Sequence, residues 1–294
     1  MEGMTAAAVN ENEALAILAE PNVIAVGARG DEERRRRHGV KTTFVRVFEI
    51  HVEAVPTSLP SGASAGEIRL MGKPASVAAA VAAVKAVRAL AGTIPLTAFS
   101  LADLSDLVDG SAASLTDLAG RLAAAGLEIV AEAPVDAVVD PVGAVRAVRE
   151  GGLQVPRLTV REMAEDDRVR LVSLARDIQS AVGGVRAFAP LPRITSVAQP
   201  TTGYDDVKVI AMARLLAGNI DSIQVDWPLY GPKLAQVALT MGADDVDGVS
   251  ALEGDLGRRR SPIEEIRGNI RAAGLTAVER NGRFERTGGD GARG

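Results

Sequence analysis

The chain of 294 residues contains no cysteine and only two histidines, His38 and His51. That absence excludes disulfides, thiolate nucleophiles, cysteine zinc sites and cysteine-ligated iron–sulfur clusters, and it leaves little for imidazole-based metal binding. Positive charge is not in excess either. Lys and Arg number 33 against 38 Asp and Glu, a formal net charge of −5, which argues against bulk nucleic-acid binding. The two Arg clusters, at 34–37 and 258–260, sit beside acids (Asp31, Glu32 and Glu33; Glu264 and Glu265) and are expected on a solvated helical face or loop. Long apolar runs are missing as well: the Ala/Val-rich stretch 74–90 contains Lys85 and Arg88, short of the roughly 20 apolar residues of a membrane helix. The N-terminal MEGMTAAAVNENEA is acidic, where a secretory signal is basic and then apolar. A cytoplasmic protein is expected, with neither membrane nor nucleic acid as partner.

Nearly half of the residues, 47%, are hydrophobic, enough for a large buried core. After two helices, one at 12–20 and one running toward His38, β-like runs alternate with amphipathic helical stretches, as βαβ units do. The runs are 42–51, 67–71, 94–100, 127–134, 153–160, 185–191, 222–227 and 243–249, and eight strands fit a closed barrel. The helices between them are expected at 75–91, 114–125, 141–150, 166–182, 204–217 and 232–241. Ser114 and Asp166 read as N-terminal caps, Pro141 and Pro232 as first helical residues. Residues 52–66, rich in Pro, Ser and Gly, have no room for a full helix, so the first crossover is expected to be a loop. Three units follow: a helical extension at 1–40, a barrel with a C-terminal extension at 41–287, and a disordered tail at 288–294.

The most distinctive stretch is ARLLAGNIDSIQVDWPLYGPKLAQVALTMGADDVDG, residues 213–248, with GGVRAFAPLP upstream (183–192) and SPIEEIRGNIRAAGLTAVER downstream (261–280). It resembles the menaquinone-pathway radical S-adenosylmethionine enzymes, nearest aminofutalosine synthase, along with dehypoxanthine futalosine cyclase and the deazaflavin synthase. The resemblance implies an α/β fold, a radical S-adenosylmethionine-like (β/α)8 TIM-type barrel, here with its first crossover shortened. It also implies three clustered cysteines after strand one, glycines ending strand four and a Gly-His-x-Glu segment after strand five. This chain carries residues 52–66, IVAEAPVD (129–136) and TVREM (159–163) at those places. No cofactor is therefore expected.

Function in such barrels gathers at the C-terminal ends of the strands. That rule selects Glu53, Glu132 and Asp247 as catalytic candidates, and His51, Arg161, Arg193, Gln224, Asp226, Trp227 and Asp245 as ligand-binding candidates. Strand alternation sends Asp245 and Asp247 to one face and Asp244 to the other, and the triplet lacks the spacing of a calcium loop, so no metal site is expected. Trp227, at a strand end, is placed to stack on a planar ligand or to pack in the core. One reading is a cluster-free homologue of aminofutalosine synthase, a pseudoenzyme that binds a futalosine-like metabolite or an active homologous enzyme of the menaquinone pathway. The other is a cofactor-independent lyase, hydrolase or isomerase using carboxylates at the barrel mouth.

Overall fold

Runs rich in Val, Ile, Leu and Phe form the strands of one closed sheet in the computed structural model, which describes residues 9–60, 64–194, 202–252 and 263–287. They are β1 (Lys41–His51), β2 (Glu67–Met71), β3 (Leu96–Ser100), β4 (Ile129–Pro134), β5 (Arg157–Val160), β6 (Ala187–Pro192), β7 (Ser222–Asp226) and β8 (Asp245–Ser250). All pair in parallel, each with the next, and β1 closes the ring by pairing with both β2 and β8. The eight-stranded barrel is as the alternation predicts. A further strand, β9 (Thr276–Arg280), pairs in parallel with residues 41–45 of β1, while β2 takes residues 47–51. It thus fills the gap at the N-terminal end of the barrel.

The helices are α1 (Glu11–Ala19), α2 (Val23–His38), α3 (Val77–Ala91), α4 (Leu101–Asp106), α5 (Ala112–Ala124), α6 (Pro141–Glu150), α7 (Arg168–Val182), α8 (Gly203–Leu216), α9 (Trp227–Leu239) and α10 (Ile263–Ala272). Between β1 and β2 the described residues form no helix, and Val52, Val55 and Leu59 pack against the core instead. Local details differ from expectation where side-chain chemistry shifts a cap. Ser111, not Ser114, caps α5 by accepting from the Ser114 backbone N–H. The chain enters α7 through a 3-10 turn at Glu165–Asp167, without a side-chain cap. Gly231, with φ of 77° and ψ of 164°, divides α9 into a short first part from Trp227 and a second helical part that begins at Pro232, as expected. The expected tail at 288–294 and the Arg cluster at 258–260 lie outside the described residues.

Helix α2 packs on α8, and α1 on α7 and α8. The Arg cluster of α2 is solvated only in part: Arg35 and Arg36 are exposed, as the sequence suggests, while Arg34 and Arg37 turn inward. Arg34 is fully buried, with Nε 2.9 Å from Asp31, and Arg37 donates to the carbonyls of Gly218 and Ile220 in the turn before β7. The close approach depends on Gly30: a Cβ there would lie 2.1 Å from the Met241 carbonyl oxygen. Since backbone cannot step aside, Gly30→Ala should cost about 1–3 kcal/mol, read as a lower urea midpoint with an unchanged m-value.

Candidate functional site

Period-two alternation puts the apolar residues of a barrel strand under the helices, as Ile68, Leu70, Leu158, Val160, Ile223, Val225 and Val246 are here, all buried. Their alternates must then fill the barrel. In this chain many of those are charged, where TIM barrels ordinarily use branched aliphatics. At the N-terminal end, the Arg280 fork from β9 grips Asp245 on β8, with Nε and Nη2 each 2.6 Å from a carboxylate oxygen. Gln224 adds a 2.6 Å bond from Nε2, and the Thr43 hydroxyl donates to the same carboxylate.

One layer higher, Asp247 accepts two bonds from Arg69, at 2.9 and 3.0 Å, and lies 3.0 Å from Arg157 Nη1. Glu67 accepts from Arg69 Nε and Thr97 Oγ1, both at 2.7 Å. Burial opposes ionisation of Asp247, but Arg157 and Arg69 outweigh it and hold its carboxyl far below the usual range. Glu67 is lowered on the same balance of burial against Arg69 and Arg157. Alternation points Asp247 inward with Asp245, and opposite β1 the register slips by one residue between Phe44 and Arg46, against Val246 and Val249. Gly248 makes the slip possible, with φ of 76° and a Pro228 ring that a Cβ would meet at 2.8 Å.

Above this layer the strands' C-terminal ends enclose a cavity of about 480 Å³. Arg193, just beyond β6, spans it: Nε lies 3.2 Å from Glu132 on β4, and Nη1 2.6 Å from Asp226 at the end of β7. Burial would lower the Arg193 guanidinium, but Asp226 and Glu132 overcome it and raise it. The other oxygen of Asp226 caps α9 by accepting from the Leu229 N–H. Glu49, Asp103, Ser100 and Phe99 complete the wall, with Arg69 and Arg157 as the floor. Phe99 has φ of 59°, a left-handed conformation that costs a bulky residue roughly 1–3 kcal/mol. It turns the chain sharply from β3 into α4, whose first turn carries Asp103. Burial pushes the Asp103 carboxyl up, against the pull of Lys73.

Of the residues chosen from sequence, Glu132, Arg193 and Asp226 meet in this cavity, and Asp247 lies beneath its floor. Gln224 and Asp245 sit at the opposite end of the barrel, in the layer held by Arg280. Trp227 is fully buried at the start of α9. His51, Glu53 and Arg161 are exposed and do not line the cavity. Asp244 faces outward, as alternation requires, and binds Arg214, Ser222 and the Ile223 N–H. Sequence reading missed Arg69, Arg157, Glu67, Asp103 and Phe99. The signal for the first three was the apolar neighbours: with Ile68, Leu70 and Leu158 committed to the helix-covered face, the charged alternates had only the interior to occupy.

A cysteine-held cluster does not fit this chain. No residue can supply a thiolate, and among the described residues no group of three His, Asp or Glu is arranged to hold a metal ion. Where the family's glycines would admit a cofactor, β4 presents buried Val130 and the cavity-wall carboxylate Glu132.

A (β/α)8 barrel with a polar mouth at the C-terminal strand ends defines the class, and comparison with known proteins narrows it. Residues 187–288 match the family model of the CofH/MqnC C-terminal region. An aminodeoxyfutalosine synthase of Streptomyces coelicolor is 33% identical over 165 residues, 48% of this chain and 42% of that protein. A 5-amino-6-(D-ribitylamino)uracil–L-tyrosine 4-hydroxyphenyl transferase of Methanosarcina barkeri is 34% identical over 133 residues, 39% of this chain and 35% of that protein. The chain thus spans less than half the length of these relatives in the matched regions. Two solved structures share the fold, each with a TM-score of 0.63 over 92% of this chain: HydG, a maturase of the [FeFe]-hydrogenase (12% identity, 72% of that chain), and methylornithine synthase, PylB (13%, 94%). The chain is thus similar in sequence to an aminodeoxyfutalosine synthase and to a 4-hydroxyphenyl transferase, and it contains no cysteine.

Proposed function

We propose that this chain is a cluster-free homologue of aminofutalosine synthase, a pseudoenzyme of menaquinone biosynthesis by the futalosine pathway that binds a futalosine-like metabolite without running the radical step. The observation that carries this reading is the mouth cavity, formed from β4, β6 and β7 around Arg193, Glu132 and Asp226, in a chain without a single thiol. Its volume falls within the roughly 300–1,000 Å³ of small-molecule sites. Carboxylates along the wall suit a ligand rich in hydroxyl donors, as an acidic residue suits a ribose in dinucleotide sites. The cytoplasm is the proposed compartment; no described helix is long and apolar enough to cross a membrane.

Thermal-shift measurements against intermediates of the futalosine pathway test the reading: at least one nucleoside intermediate should raise the melting temperature. Stoichiometric iron and cleavage of S-adenosylmethionine after anaerobic reconstitution would overturn it.

Two observations support other readings: the first a partner role for the same pseudoenzyme, the second the alternative in which the chain is catalytic. An apolar groove of about 400 Å³ between α2, α8 and α9, lined by Val23, Tyr204, Val207, Leu234, Val237 and Met241, suits association with an active homologue. The raised carboxyl of Asp103 in the cavity wall suits a cofactor-independent lyase, hydrolase or isomerase. Of the candidate bases in that second reading, Asp247 is the poorest, because two guanidiniums hold it ionised beneath the floor.

A further inference from the structure

Resting on the reading of the mouth as the binding site, we infer that Tyr230 and Asp136, neither of which lines the cavity, are positioning residues that hold Arg193 fixed across it between Glu132 and Asp226. The need for them follows from the sequence of β6. Pro190 and Pro192 have no amide N–H to give to a ladder, and the pairing of β6 with β7 ends at Phe188, opposite Ile223. On the β5 side the register skips between Ala189 and Pro192, opposite Thr159 and Val160. The tip of β6 that carries Arg193 is thus weakly laddered. A long, flexible side chain on such a tip loses much conformational freedom when it bridges two carboxylates in one geometry, so the backbone beneath it has to be held by other means.

Two sets of hydrogen bonds replace the ladder. Tyr230 closes the gap toward β7: its hydroxyl donates to the Pro192 carbonyl at 2.5 Å, one residue before Arg193. Burial pushes the Tyr230 phenol up, so the hydroxyl stays a donor. Tyr230 is set in turn by the short first part of α9. Asp226 accepts from the Leu229 N–H at 2.8 Å, and Gly231 ends that turn directly after Tyr230. Because the other oxygen of Asp226 takes Arg193 Nη1 at 2.6 Å, a closed circuit runs from Arg193 through Asp226 and Tyr230 back to Pro192. Asp136 secures the other side. It accepts from the Arg161 and Glu162 N–H groups at 2.7 and 2.8 Å, which fixes the end of β5. The carbonyls of Val160 and Arg161 then receive the N–H groups of Arg193 and Ile194, both at 2.9 Å. Bonds of this kind, made outside a site, keep its residues in the geometry that a ligand needs.

Phenylglyoxal, which condenses with the terminal nitrogens of arginine, reads the bridge without a ligand when its adducts on the folded full chain are located by peptide mass mapping. Arg193 should label about thirty-fold more slowly than the exposed Arg35 and Arg36. In Tyr230→Phe, which keeps the ring, and in Asp136→Asn, that protection should fall to about three-fold, a ten-fold loss being what one hydrogen bond supplies. Arg34 and Arg214, buried away from the mouth, should stay unlabelled in all three proteins. Thermal melting verifies the fold, and either variant decides alone if the other does not fold. Unchanged protection of Arg193, or an equal rise at Arg34 and Arg214 that marks general loosening, would overturn the inference. Calorimetric titration with futalosine gives the second readout: affinity should fall about ten-fold in both variants, and unchanged affinity beside a loosened Arg193 would overturn the role of the bridge in binding. A wild-type chain that binds no nucleoside would remove the proposed function, while the labelling would still decide whether Tyr230 and Asp136 hold Arg193.

Discussion

Replacing Asp247 with asparagine should cost about 3–5 kcal/mol of stability. The substitution keeps the shape of the side chain and removes one charge, so the loss reports electrostatics and not a cavity. Asp247 is fully buried and holds Arg69 by a two-pronged contact and Arg157 by a third. Without it, two guanidiniums share Glu67 alone, and an amide N–H faces one of them. A buried pair adds little over an apolar replacement, but breaking one strands its partner. The measurement is urea unfolding of both proteins at pH 7, compared by midpoint at equal m-value.

The same experiment at lower pH fixes the sign. Because the folded carboxyl lies below its unfolded value of about 3.9, its stabilisation is present above that pH and is lost as pH falls toward the folded value. The gap between wild type and Asp247→Asn should therefore narrow below about pH 4. A gap under about 1 kcal/mol at pH 7, or one that widens in acid, would mean that the layer does not depend on this charge.

The barrel itself was legible because its strands are apolar on alternate positions and separated by helices with recognisable ends. Leu153 and Val155 precede β5 and were read as part of it; they are buried, though the ladder begins only at Arg157. Helix α4 escaped notice because six residues starting directly at the end of β3 show less than two turns of periodicity. The mouth was half legible. Strand-end position found Glu132, Arg193 and Asp226, but it equally selected His51, Glu53 and Arg161, which follow or end their strands with side chains outside the cavity. Asp245 and Gln224 were assigned to the mouth although they stand one layer or more below it, since one sequence gives the face of a residue but not its depth. Arg280 carried no barrel signal, because β9 lies outside the eightfold repeat and joins through its register with β1.

That ninth strand makes the N-terminal end of the barrel a closed polar plug, and Arg280→Met tests it. Arg280 is 1% exposed and Asp245 is fully buried, joined by two 2.6 Å bonds. Methionine fills much of the volume of the arginine stem but leaves Asp245 with Gln224 and Thr43 as its remaining partners. The expected loss is about 3–5 kcal/mol at pH 7. Adding Asp245→Leu removes the stranded charge, and the double variant should recover most of the loss, as apolar replacement of a buried pair generally does. Failure to recover would place the strength of the plug elsewhere, in β9 pairing and in the stacking of Arg280 over Phe284 at 4.0 Å. Recovery would show that the ion pair at the bottom of the barrel adds little stability over an apolar pair in the same place.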